Sequence, residues 1–202
     1  MSDDYILGLD LGQRRDYSAL AIVERRWRAH PDDAGKPMSH FAIRHLRRWP
    51  LGTSYTVVAT DLAALLRQPP LHRPALVVDQ TGVGQAVVDF LATRPFSATL
   101  ERVVITSGQQ ATRAASGAWH VPKKELVGCL RQLLQCRRLQ VAALPERAVL
   151  IEELQLFRVK ITATAKETFQ AWRARDHDDL VLAVALACWW AERKGVGPSV
   201  QA

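Results

Sequence analysis

Apolar residues fall along this chain in short blocks, and the spacing inside each block predicts its element. "YILGLDLG" (Tyr5–Gly12) is a nearly continuous apolar run of strand length, and "SALAIVERRW" (Ser18–Trp27) is a second strand after a tight polar turn. "HPDDAGKP" (His30–Pro37) reads as a loop of turn formers. "SHFAIRHLRRW" (Ser39–Trp49) alternates apolar and basic residues, the pattern of a strand with one wet face. Together the three predict an antiparallel meander. Ser54–Gln68 then shows helical periodicity behind a serine cap and ends at "PPLHRP".

Beyond that point strand and helix alternate. "ALVVD" (Ala75–Asp79) is short and apolar throughout, as a central parallel strand is. A helix over Gln85–Ala92, a strand over Leu100–Thr106 and an amphipathic helix over Val121–Arg138, with Pro122 in its first turn, follow. Leu139–Ala142 is a brief strand and Pro145–Phe157 another helix. "RVKITA" and "ETFQAWRA" predict a hairpin linked by Thr164–Glu167. The last helix opens at Asp178, its run Leu180–Ala191 is apolar nearly all round, and 195–202 form a frayed tail. This order predicts one α/β domain over 1–194: a mixed sheet of antiparallel, then parallel strands, flanked by helices.

Composition narrows the class of partner. The 202 residues carry a formal net charge of +7, with Arg far outnumbering Lys, which favours a polyanionic partner because guanidinium pairs bidentately with phosphate. "MSDDYILGLD" is acidic and enters a strand directly, so no signal or transit peptide is expected; the longest apolar run is too short to span a bilayer. Cys129, Cys136 and Cys188 lack C-x-x-C spacing and read as reduced core residues, the first two on one helix face. A cytoplasmic location is the expectation.

The candidate chemistry lies in aspartates. Asp10 interrupts the first apolar strand, Asp79 ends the fourth, and "RDHDDLVLAVALACWW" sets Asp178 and Asp179 at the mouth of the last helix. Each has an ordinary reading: a turn-facing strand residue, a strand–turn–helix junction, a helix cap. Yet an ionised carboxylate is costly to bury unless paired or metal-bound, and no obvious Arg or Lys partner stands among these. If strands one and four are neighbours, Asp10 and Asp79 meet at their carboxyl ends, where sites gather in open α/β sheets, with Asp178 or Asp179 as the third contribution. Such a cage suits Mg²⁺ or Mn²⁺, and two ions about 4 Å apart would clamp an in-line displacement at a phosphodiester. Arg14 and Arg15 beside Asp10, with Lys123 and Lys124, are the nearest candidates for DNA contacts, although a solvated helix face is the ordinary reading of the lysines. The glycines of "TGVG" after Asp79 give only a weak phosphate-binding signal, and His177 reads as a solvent-facing residue.

Taken together, "GLDLGQRRDYSALAIVE", "ALVVDQTGVGQAVVDFL", "VPKKELVGCLRQLL" and "HDDLVLAVALA" resemble, in order, the nuclease domain of the large terminase subunit of tailed bacteriophages, of the RNase H-like, RuvC and integrase superfamily. The resemblance implies a metal-dependent endonuclease that cuts double-stranded concatemeric DNA during genome packaging. It implies Asp10, Asp79 and Asp179 as metal-binding and catalytic acids, and Asp178 as neighbour or fourth ligand. Partners implied are a separate terminase ATPase domain or small subunit and the portal, in the bacterial host of a phage or prophage. The chain departs from the family in carrying no G-x-x-x-x-G-K-[ST] phosphate loop. The alternatives are a RuvC-like Holliday-junction resolvase, a single-lobe relative of the sugar kinase, actin and heat-shock chaperone ATPases, and a non-catalytic DNA-binding module.

Overall fold

The computed structural model describes residues 4–12, 16–31, 33–71, 73–82, 85–93, 98–163 and 178–194. β1 (Asp4–Asp10), β2 (Ala19–His30) and β3 (Asp33–Arg48) form the expected antiparallel meander. The turn formers of His30–Pro37 do not open a loop. β2 and β3 stay paired as far as His30 and Asp33, with Pro37 opposite Ala29, and a register shift at Ala29/His30 absorbs the irregular stretch.

Next come α1 (Tyr55–Leu66), capped by Ser54 Oγ accepting from the Val57 N–H, β4 (Ala75–Asp79), α2 (Gln85–Ala92) and β5 (Thr99–Thr106). β6 (Thr112–Arg113) and β7 (Trp119–Pro122) were not expected; a turn with Gly117 at φ 82° joins them. Pro122 closes β7 and caps α3 (Lys123–Gln135) rather than lying inside its first turn. The helix stops short of Arg138 because Arg137 turns left-handed at φ 53°. Cys136 is therefore exposed beyond the helix end, not in the core; Cys129 is half-buried, Cys188 is buried, and all three are free thiols. β8 (Leu139–Val141) and α4 (Arg147–Ala163) follow. The expected hairpin fails in its first half: residues 158–163 continue α4, and its second half lies outside the described residues. Its β-branched residues mimic a strand, but β propensity is a weak prior that an established helix overrides. The last element is α5 (Asp179–Arg193).

Among the described residues the strands form one sheet in the order β6-β7-β5-β4-β1-β2-β3-β8. β1, β4, β5 and β7 run parallel, so the chain has the predicted mixed sheet with β1 beside β4. One face carries Leu7, Leu9, Leu76 and Val78 against α1 and α2; the other carries Ile6, Ala19, Ala21, Val77 and Val103 against α3, α4 and α5. α5 is buried from Asp179 to Ala191, which explains why its sequence is apolar all round. It presses on β1 at Gly8, where a Cβ would stand 1.9 Å from the Ala183 carbonyl oxygen, so only glycine admits the helix at this depth. Among the described residues no helix is long and apolar enough to cross a membrane.

Candidate active site

Asp10 and Asp79 occupy paired positions at the carboxyl ends of parallel strands β1 and β4. By the alternation of each strand they follow Gly8 and Val77, so both turn to the face that α5 covers. α5, seated over Gly8, delivers Asp179 to the same end of the sheet. All three are buried, at 8%, 6% and 5% exposure, while Leu and Val occupy the intervening strand positions. The sequence expectation of a three-element gathering of aspartates therefore matches the placement of the chain.

Local turns set each carboxylate. The Thr81 N–H donates to Asp79 Oδ1 at 2.8 Å, and Thr81 Oγ1 accepts from the Ile105 N–H at 2.7 Å, tying the turn after β4 to β5. Gly12 follows β1 where a Cβ would stand 2.3 Å from the carbonyl oxygens of Asp16 and Tyr17, and its N–H donates to Ser18 Oγ at 3.2 Å. Burial first, then the charges of Asp79, Asp179 and Asp178, push the Asp10 carboxyl well above the usual carboxylate range; Lys123 pulls the other way.

Two cations do stand among these acids, contrary to the sequence reading. Lys123 opens α3 and donates to Asp178 Oδ2 at 2.6 Å, with its side chain only 15% exposed, so it does not lie on a solvated face. Lys124 does, and bonds Gln109. Arg48 ends β3, ion-pairs with Glu153 of α4 and lies 3.7 Å from Asp179 Oδ2. Its guanidinium also sits 4.6 Å from the Tyr17 ring centre.

Asp178 and Asp179 take different positions at the mouth of α5, and only Asp179 lies within the helix. Asp178 is the N-cap residue of α5, but its carboxylate makes no capping bond and turns to Lys123. The cap comes instead from α4: buried Glu153 accepts the Val181 N–H on Oε2 at 3.1 Å. Burial pushes the Glu153 carboxyl up to about 7; the Val181 N–H and Arg48 oppose this, while Asp179 and Asp178 add to it. Sequence reasoning missed Glu153 and Arg48. Glu153 interrupts the apolar spacing of "VLIEELQL", a signal of the same kind as Asp10 but on a helix, where an acid is ordinarily solvated.

Arg14, Arg15, His177 and the Val83–Gly84 part of "TGVG" lie outside the described residues. Among those described, no three acid, histidine or cysteine side chains stand close enough to close a ligand set already. The donor chemistry nevertheless fits a hard cation, since the gathered groups are buried carboxylates.

The sheet order, with an antiparallel meander joined through β1 to parallel strands and a buried final helix, defines an α/β protein of RNase H-like fold. More particularly, the chain is similar to the solved large terminase nuclease from thermophilic phage G20c, with a TM-score of 0.57 over 92% of this chain and 81% of that one, at 22% identity. The fold is that of a terminase nuclease. No protein-family model and no curated protein matches the chain by sequence.

Proposed function

We propose that this protein is a metal-dependent endonuclease that cleaves double-stranded DNA. The observation that carries this reading is the burial of Asp10, Asp79 and Asp179, drawn from three separate elements, at one end of the sheet. The fold shared with a phage terminase nuclease supports the same class. Asp10, Asp79 and Asp179 are the metal-holding acids in this reading and Asp178 a fourth, held in reserve by Lys123. Two Mg²⁺ or Mn²⁺ ions bound there would activate water and stabilise the leaving oxygen of a phosphodiester. The chain's own part is orientation. Thr81 fixes Asp79, Glu153 and Arg48 fix the start of α5 and so Asp179, and burial excludes bulk water from Asp10.

Arg14, Arg15, Lys123 and Lys124 are the proposed contacts to the DNA backbone, where affinity is sequence-tolerant and falls steeply with salt. The biological setting in this reading is cutting of concatemeric DNA in the cytoplasm of a phage-bearing host, with a terminase ATPase, small subunit and portal as partners. A cleavage assay with Mn²⁺ on supercoiled plasmid and on a four-way junction tests it, with Asp79→Asn as control. Nicking of plasmid by the wild type alone is expected. Cleavage confined to the junction would make the protein a resolvase, and binding without cleavage of either would make it a DNA-binding module.

A further inference from the structure

α3 leaves the sheet at the carboxyl end of β7, the same end that carries Asp10 and Asp79, and its first residue, Lys123, bonds Asp178. The two faces of this helix are unlike. Leu126, Leu130 and Leu133 are buried and fix the inner face. At about 100° per residue, Lys124, Gly128, Arg131 and Gln135 then fall within about 60° of one another on the opposite side. All four are exposed.

This outer stripe is cationic and carries no acid. Lys124 bonds the neutral amide of Gln109, and no ion pair joins Arg131 to an acid among the described residues. Glu125, the acid of α3, is turned away: Oε1 accepts from Trp189 Nε1 at 2.8 Å and Oε2 from the Ala111 N–H at 3.0 Å. Gly128 sits in the middle of the stripe. A Cβ added there would meet nothing within 4 Å, so no packing inside the protein calls for glycine. After proline, glycine is the residue that most weakens a helix interior. What it supplies here is a bare stretch of helix backbone between two outward cations, which a partner's backbone can approach closely. Leu134, exposed at 40%, lies about 100° round the helix from Gln135, off the stripe, so the stripe lacks the apolar centre of a protein interface.

We infer that the outer face of α3 is a track for duplex DNA. One sugar–phosphate backbone lies across Gly128, with Lys124 and Arg131 on phosphates to either side and Gln135 continuing the row. A rise of about 1.5 Å per residue sets Lys124 and Arg131 about 10 Å apart along the helix, so both reach the same stretch of one strand. The inference rests on the nuclease reading and gives the substrate its course: from the carboxylates, past Lys123, along α3 towards the other end of the sheet. The contacts are to phosphates, so the track holds DNA of any sequence.

Fluorescence anisotropy of a short labelled duplex across a salt series tests it, with every variant placed on the Asp79→Asn protein so that the DNA survives. Gly128→Gln puts a good helix former into open space. It is expected to raise the melting temperature by about 2–4 °C, yet to weaken duplex binding about fivefold or more, because the new side chain holds the strand off the helix. Arg131→Gln should lower the slope of log affinity against log salt by about 1. Lys36→Gln removes an exposed charge at the other end of the sheet and should leave affinity and slope as they are. A Gly128→Gln protein that keeps its fold and binds like its parent, or an unchanged slope in Arg131→Gln, overturns the track. Nicking of plasmid by the wild type in Mn²⁺ is read separately. Nicking with binding unaltered in both α3 variants leaves the nuclease and removes the track. Weakened binding in those variants without nicking by the wild type leaves the track and removes the nuclease, and no duplex binding at all removes both.

Discussion

Glu24 and Asp10 are both buried carboxylates, on neighbouring strands β2 and β1, and their protons are held in opposite senses. Burial alone would raise Glu24, but hydrogen bonds and charge from Arg26 and Arg44 outweigh it and hold its carboxyl below the usual range. Asp10 receives a weaker answer: after burial, its largest influences are three more carboxylates, which Lys123 opposes to a smaller extent. Glu24 belongs to a satisfied scaffold, since both its oxygens meet guanidinium groups at 2.6–2.8 Å. Asp10 belongs to a place where the fold tolerates charge it has not neutralised. Burial alone therefore says little about role, whereas the sign of the surrounding charge distinguishes the two settings.

The sharpest break in this comparison comes from Asp179→Asn and Asp79→Asn. Each is expected to lower Mn²⁺-dependent plasmid nicking at least about a thousandfold, as for loss of a group that acts as part of a unit. Each should also shrink the rise in melting temperature that millimolar Mn²⁺ gives the wild type. Asp178→Asn should lose less, because Asp178 is already engaged by Lys123. The reverse ranking in a nicking assay would exchange the two roles.

Gly8→Ala asks whether α5 can give way. Its new Cβ meets helix backbone, not a flexible side chain, so an unfolding free-energy loss of about 3 kcal/mol is expected in urea titration. A near-neutral result would mean that the helix seating over β1 is slack and the placement of Asp179 with it.

Glu24→Gln tests the scaffold side and should cost about 2 kcal/mol at pH 7, because the neutral amide cannot reproduce the charge-assisted hydrogen bonds to Arg26 and Arg44. Because the folded-state carboxyl of Glu24 lies below its unfolded value, this contribution is present above the unfolded pKa and lost as pH falls through the folded one. The gap between variant and wild type should therefore close on acidification. Glu153 has the opposite sign: with its folded carboxyl near 7, stability is lost as pH rises from the unfolded value through neutrality. Glu153→Gln should flatten that decline, seen as matching melting curves across pH 5 to 8. The smallest effect belongs to exposed Lys124→Gln, which should lower the salt slope of DNA binding by about 1 and leave nicking nearly unchanged at low salt.

The sheet strands with long apolar runs, the Ser54 cap, the pairing of β1 with β4 and the buried last helix were legible because each rests on local pattern or on one adjacency. β6 and β7 were not, since two and four residues give no periodicity to read. Nor was the continuation of α4 through "KITA", where β-branched residues imitate a strand. At the site, aspartates that break apolar runs were readable one by one. Glu153 and Arg48 were not, because their importance arises only when α4 and β3 meet the start of α5, a meeting that spacing along the chain does not encode.

The fit of α5 over Gly8 also has a kinetic side. β1 and α5 are the first and last described elements, so the contact that brings Asp179 to Asp10 closes a loop that spans all the described elements between them. A nascent chain can pair β1 with β2 and β4 while the groove over Gly8 is still open. The acids are complete only when the final helix arrives, so a fragment stopping before residue 179 holds Asp10 and Asp79 without their third partner. In the proposed nuclease reading, such a fragment would be without cleavage activity until α5 docks over Gly8.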